Sequence, residues 1–385
     1  MSFAWVNSSA TPKDYRLRKS KNMVSNDEDY SSFGRYSSLA SLPPSSRLCT
    51  SAVLEHEEDQ HAHYGFIAVL GLAQRLNVDI LPLSWDIKQR PIGRGGQATI
   101  YHTMIDRESG FVFKCFDHID QQQDLFRQVV QEMAVLGHPA VRAHPHINNL
   151  EGLCWNVIDE NQIWPALVFE KSHLGDLDSF VKTQRAIELS IEDRLELCVQ
   201  IGIAIRDMHA NGIVHGDIKP GNILVFEADT GRITVKMTDF GWSTWFRAER
   251  KAILMPRSLP WNAPEHMWQT VEMKEAKLMD VYSYGLLCLW LLLCVDSASA
   301  SRSFRALDWM QYLGFTTERS LLHAWKQDQD DPLLKWAIWA LSEHGTFDID
   351  MEQDLVKFFK SCLTFDPYMR NMNWQHLLEL LAPNR

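Results

Sequence analysis

No two cysteines in this chain stand at Cys-x-x-Cys spacing, and the seven present, Cys49, Cys115, Cys154, Cys198, Cys288, Cys294 and Cys362, cannot all pair within one chain. The pattern is not that of a disulfide framework, so reduced thiols in an intracellular, cytoplasmic or nuclear compartment are expected. Basic charge is not in excess: 38 Lys and Arg against 49 Asp and Glu leave a net charge of −11. A nucleic-acid or anionic-membrane surface is therefore not the default reading. The opening MSFAWVNSSATPKDY lacks a basic region followed by an apolar run, and no secretory signal is expected. The longest apolar stretch, Val281 to Val295, is shorter than the roughly 20 residues that cross a bilayer, with Asp280 at its head, so a buried core helix is expected and no membrane span. No internal repeat is visible.

What is present is globular. Hydrophobic residues make up 45% of 385 and charged residues 23%, enough for one two-lobed domain or two ordinary ones. Residues 1–60 are rich in Ser, Asn, Asp and Lys, with no sustained apolar period, and are expected to be a disordered leader; the basic run Tyr15 to Lys21 within them reads as a solvated charge cluster. Over 61–85, Phe66, Val69, Leu70, Ala73 and Leu76 recur at helical spacing before Ile80, Leu81, Leu83 and Trp85, which predicts a helix and an extended segment capping the domain beyond them. Beyond Asp86 the runs ATIYHTMI, GFVFKCF and QIWPALVFE read as strands, interrupted by a helical stretch from Gln121 to Leu136. After about Asp176 the period is helical, apart from strand-like pieces at Asn222 to Phe226 and Ile233 to Met237. The expected fold is α+β, with a small β-rich lobe over about 86–170 and a larger α-helical lobe over about 174–383.

Several segments carry chemistry. Ile92-Gly93-Arg94-Gly95-Gly96-Gln97-Ala98-Thr99-Ile100 is a glycine-rich turn between two strands. It fits either a phosphate approached by backbone N–H groups or a tight hairpin. The β-branched and aromatic residues that come next disfavour a dinucleotide fold, which would open a helix there. Lys114 is the one charge in Phe111 to Phe116 and requires an anion if buried. Glu132 is a natural partner, and an edge-strand lysine reaching water is the alternative. His215-Gly216-Asp217-Ile218-Lys219-Pro220-Gly221-Asn222 sets an acid, an amine and an amide before a short strand: groups able to accept a hydroxyl proton, neutralise a phosphoryl group and ligate Mg²⁺. Asp239-Phe240-Gly241 adds a second oxygen ligand, and Ala263-Pro264-Glu265, Asp280 and Arg370 come after it in order.

This ordered set resembles the eukaryotic protein-kinase family over about 86–382, in a divergent serine/threonine kinase-like form, and residues 64–85 look like segments that precede kinase-like domains in fungal proteins. The resemblance implies a two-lobed protein-kinase-like fold, ATP and Mg²⁺ as cofactors, and a protein serine or threonine as acceptor. It implies that Asp217 is the catalytic base and Lys219 a γ-phosphate contact, with Asn222 and Asp239 as metal ligands. Ile92, Gly93, Gly95, Gly96, Ile100, Val112 and Leu224 would line the nucleotide site. Lys114, oriented by Glu132, would hold the α- and β-phosphates. Phe169 would be the gatekeeper, with Glu170 to Ser172 the hinge. His215, Phe240, Gly241, Glu265, Asp280 and Arg370 would be structural. Ala98 replaces the third glycine, Val112 stands where alanine is usual, and Gly216 replaces the arginine that in many members pairs with a phosphorylated activation segment. Ser243, Thr244 and Ser258 are therefore not expected to be obligatory switches. The alternatives are a pseudokinase scaffold, which those three departures favour, and a small-molecule phosphotransferase of aminoglycoside- or choline-kinase type.

Overall fold

Alternation of side chains along a strand sends successive residues to opposite faces, and a computed structural model shows what this does to GFVFKCF. Phe111, Phe113 and Cys115 join a small outer cluster with Tyr101, Cys154, Ala166 and Val168, while Val112 and Phe116 join the main core. Lys114 shares that inner face. The structure describes residues 65–85, 93–94, 98–104, 110–116, 122–159, 162–228, 230–245, 253, 255–256, 258–267, 271–294, 326, 328–345 and 347–382. The leader expected over 1–60, and Ile92, Gly95 and Gly96 of the glycine turn, lie outside them.

The first lobe is built on a sheet of six strands: β1 (Ile80–Trp85), β2 (Gly93–Arg94), β3 (Ala98–Met104), β4 (Gly110–Phe116), β5 (Leu150–Asp159) and β6 (Gln162–Glu170), in the spatial order β1-β5-β6-β4-β3-β2. All neighbours are antiparallel except β1, which runs parallel to β5. Strand β5 is absent from the sequence-based expectations, for a physical reason. It lies between β1 and β6 with Gly152, Leu153, Cys154 and Asn156 all buried, so its sequence does not alternate. Helix α1 (Phe66–Arg75) packs Val69, Leu72 and Ala73 against helix α2 (Gln122–Leu136), whose Leu125, Phe126, Val129, Val130 and Met133 face the same core.

The second lobe is helical. Helix α3 (Leu177–Phe180) and helix α4 (Gln184–Ile187) lead into helix α5 (Ile191–Ala210), started by a reciprocal cap between Ser190 and Asp193. Strand β7 (Ile213–Val214) pairs with β10 (Thr244–Trp245), and β8 (Ile223–Glu227) with β9 (Ile233–Met237). Helix α6 (Met273–Leu289) continues into a π-helical turn at Trp290–Cys294; its apolar residues beyond Met273 are buried within the fold, the core helix that was expected. Helices α7 (Pro332–His344), α8 (Ile349–Leu363) and α9 (Trp374–Leu381) complete the lobe. The arrangement is the α+β, two-lobed one that the resemblance implies.

Candidate active site

Lys114 does not reach water. It is 8% exposed, and its Nζ donates to both carboxylate oxygens of Glu132 at 2.8 Å and to Asp239 Oδ1 at 2.7 Å. Helix α2 therefore presents Glu132 to the inner face of β4, and the amine ties the first lobe to the loop after β9. Burial pushes the Lys114 ammonium down, but the two carboxylates outweigh it and hold it charged, above the ordinary lysine value. Burial likewise works to raise Asp239, and Lys114 more than offsets it, so the Asp239 carboxyl sits below its usual range. Asp239 adopts a left-handed backbone, φ 63°, a strained conformation that points to a functional constraint. The next residue, Phe240, is buried with its ring 5.2 Å from that of His215.

The His215 to Asn222 loop is stitched from several sides. Asp280, on α6, accepts from the backbone N–H groups of His215 at 2.8 Å and Gly216 at 2.9 Å, and its Oδ2 lies 3.0 Å from His209 Nε2. Burial lowers the pKa of His209, against the opposing pull of Asp280. Lys219 Nζ donates to Asp217 Oδ2 at 2.6 Å, and Asn222 Nδ2 donates to the same oxygen at 3.0 Å and to the Asp217 carbonyl at 2.8 Å. Asp217 Oδ1 is buried and accepts no hydrogen bond from the described residues. Thr238 joins the two loops: its N–H donates to the Asn222 carbonyl at 2.9 Å, and its own carbonyl lies 3.2 Å from His215 Nε2.

Ile100, Val112 and Lys114 share one face of the sheet, since Ile100 pairs with Lys114 across β3 and β4. Phe169 faces Val112 across β4 and β6 and is buried. Gly93 pairs with Ile100. At the lobe junction Glu170 forms an exposed ion pair with Lys236 at 2.7 Å, and the Ser172 hydroxyl donates to the carbonyls of Gly175 and Val225. Leu224, in β8, is half-buried beside this link. Arg370 holds Glu265 through two bonds, of 2.6 and 2.9 Å, and also donates to the carbonyls of Thr364, Leu278 and Phe365.

Some features were not legible in the sequence. Ser243 is fully buried and donates its hydroxyl to the His215 carbonyl at 3.0 Å, while Gln131 of α2 donates to the Ser243 carbonyl at 3.0 Å. Ser258 accepts from Lys219 Nζ at 3.4 Å. Lys326 is buried against the segment that precedes Glu265. No local pattern marks these residues, whose partners lie far along the chain.

The donor set fits nucleotide and a hard divalent cation. The side-chain oxygen of Asn222 and the Asp239 carboxylate are oxygen ligands of the kind Mg²⁺ takes, and Asp217 Oδ1 is an orphaned acceptor on the same loop as Asn222.

The model of the protein kinase domain matches residues 87–380. Among curated relatives, the chain is 28% identical over 61% of its length to wall-associated receptor kinase 4 of Arabidopsis thaliana, covering 30% of that protein. It is 25% identical over 58% of its length to the LRR receptor-like serine/threonine-protein kinase FEI 2 of Arabidopsis thaliana, covering 36%. It is 28% identical over 56% of its length to the serine/threonine-protein kinase ULK3 of Xenopus laevis, covering 43%. The chain thus spans less than half the length of each of these relatives. With the family model covering far more than half of the sequence, and the lysine, glutamate and aspartates of the site drawn together between two lobes, the chain belongs to the protein kinase family.

Proposed function

We propose that this site transfers the γ-phosphoryl group of ATP to a serine or threonine hydroxyl of a protein. The carrying observation is the division of labour on Asp217: Oδ2 is held by Lys219 and Asn222, while Oδ1 is buried with no donor among the described residues. That oxygen is positioned to orient the acceptor hydroxyl and take its proton as the hydroxyl oxygen bonds to phosphorus and the bond to the ADP oxygen breaks. Lys219 would neutralise charge on the group in transit. Lys114, with Glu132 behind it, would hold the α- and β-phosphates. Asn222 and Asp239 would hold Mg²⁺, which when bound neutralises phosphate charge. Ile100, Val112, Phe169, Leu224 and the Glu170 to Ser172 link would receive the adenine. Lys219 followed by Pro220 supports a serine or threonine acceptor.

The activation segment is read as independent of obligatory phosphorylation. Gly216 has φ 83°, and a β-carbon there would lie 3.1 Å from the Trp242 carbonyl, with the Met255 side chain 3.8 Å away, so an apolar group stands where an arginine would project. Ser243 and Thr244 are buried, and Ser258 faces Lys219. Cys115, Cys154, Cys198, Cys288 and Cys362 are buried, and burial pushes the Cys154 thiol up to about 12, which supports work in a reducing compartment.

The test is a Mg²⁺-ATP phosphotransfer assay with products identified by mass. Asp217→Asn should lower turnover by roughly 10²–10⁴-fold, as expected on losing a general base, and Lys114→Met should lower it by orders of magnitude with the fold retained. Phosphatase treatment of the wild type should leave activity in place. Equal transfer by Asp217→Asn and wild type would sink the assignment. A nucleotide-dependent thermal shift without any transfer would point to a scaffold.

A further inference from the structure

Lys326 is a buried amine that the proposed phosphotransfer does not use. It is 2% exposed, its Nζ donates to the Pro260 carbonyl at 2.6 Å and to the Asn262 carbonyl, and it lies 5.7 Å from the centre of the Tyr282 ring. No carboxylate among the described residues pairs with it: Glu265, the nearest acid by its field, is held at both oxygens by Arg370. Burial draws the amine from the ordinary lysine value to about 7. An ammonium in such a place costs stability relative to an apolar side chain of similar size, so its packing alone does not account for it.

What its donors do is local and specific. They close on the carbonyls either side of Trp261, in the turn where Trp261 N–H and Asn262 N–H donate to the Ser258 carbonyl at 2.8 and 3.2 Å. Ser258 at the head of that turn accepts from Lys219, which itself holds Asp217. From the other side the Trp261 ring packs edge-on against Trp290 at 5.7 Å. The head of the turn is thus joined through Lys219 to the Asp217 carboxylate, and the Lys326 amine holds the two carbonyls at its other end.

We propose that Lys326 is a positioning residue for the acceptor: it anchors the 258–262 turn, which Lys219 joins to Asp217, and so fixes the surface on which the acceptor polypeptide lies. This role rests on the proposed phosphotransfer to a protein hydroxyl.

The experiment compares full-length wild type, Lys326→Met and Lys326→Gln, with myelin basic protein as the acceptor probe. Removing the two amine donors should raise the acceptor KM by about tenfold in Lys326→Met. The rise should be smaller in Lys326→Gln, whose amide keeps two N–H donors. The KM for ATP, and Mg²⁺-ATP hydrolysis without acceptor, should stay at wild-type values, which a general loosening of the fold would not allow. Hydrogen exchange should be faster in both variants at the Trp261 and Asn262 amides and unchanged along α2. If Lys326→Met does not fold, Lys326→Gln gives the same readings. Wild-type exchange at the two amides, an unchanged acceptor KM, or a parallel rise in both KM values overturns the proposal. If wild type transfers nothing, the kinase reading fails, and the exchange measurement still decides whether Lys326 anchors the turn.

Discussion

Arg370 and Glu265 are both buried, and Arg370 donates two charge-assisted hydrogen bonds to Glu265, while the guanidinium also lies 4.7 Å from the centre of the Tyr282 ring. Breaking such a pair from one side strands a charge in a medium that cannot solvate it. Arg370→Met should therefore cost about 3–5 kcal/mol, and replacing Glu265 by leucine in the same protein should recover much of it. Thermal or urea denaturation of the two variants checks this. Gly216 makes a different case, because its constraint is in the backbone. A left-handed φ costs an L-residue roughly 1–2 kcal/mol, and the Trp242 carbonyl leaves little space for a β-carbon. Gly216→Arg should lose about that much stability in the same denaturation assays and should not make activity sensitive to phosphatase. The pairing of Lys114 with Glu132 was open in the sequence, and burial decided it. That Asp239 shares the same amine was hidden, since 125 positions separate the two residues.

Helix α1 and strand β1 precede the matched domain, which begins at residue 87, yet they are built into its first lobe. Leu76 approaches Gly137, at the end of α2, so closely that a β-carbon on Gly137 would stand 2.5 Å from a Leu76 methyl. Arg142 donates to the carbonyls of Leu76 at 2.5 Å and Asn77 at 3.3 Å, and the Leu153 N–H donates to the Asp79 carbonyl at 2.8 Å. Because α1 packs on the helix that carries Glu132, a cavity between them should loosen the grip on Lys114. Leu72→Ala should cost about 2–5 kcal/mol in urea denaturation and lower phosphotransfer as well, whereas Ser190→Ala, which removes only the α5 cap, should cost about 1 kcal/mol and leave transfer unchanged. The period of 65–76 announced the helix, and the run to Trp85 announced extended chain. Parallel pairing of that run with β5 was not announced, because a strand flanked on both sides carries no alternation.

The two lobes bring unequal groups to the proposed site: the sheet an amine and an apolar face, the helical lobe two aspartates, an amide and a second amine. Lys326 adds a pH dependence to the stability of the fold. Its folded pKa, about 7, lies below the ordinary value, so between pH 7 and about 10.4 the unfolded chain binds more protons and stability rises with pH. Glu265, Arg370 and Tyr282 face the amine and are common to wild type and Lys326→Met, so the difference between the two isolates Lys326. From pH 7 to 9, wild type should gain on Lys326→Met by about 1 kcal/mol per pH unit, read from urea denaturation at each pH; a constant difference would contradict the assignment. The order of motifs from Lys114 to Arg370, the helical and alternating periods and the lack of a basic excess were enough to imply the family and the two lobes, because those depend on residue type and local spacing. Which oxygen of Asp217 is left open, that Ser258 meets Lys219, and that a lysine 64 residues beyond Asn262 fastens its carbonyl were settled by folding, since burial and contact between distant segments exist only once the core has brought them together.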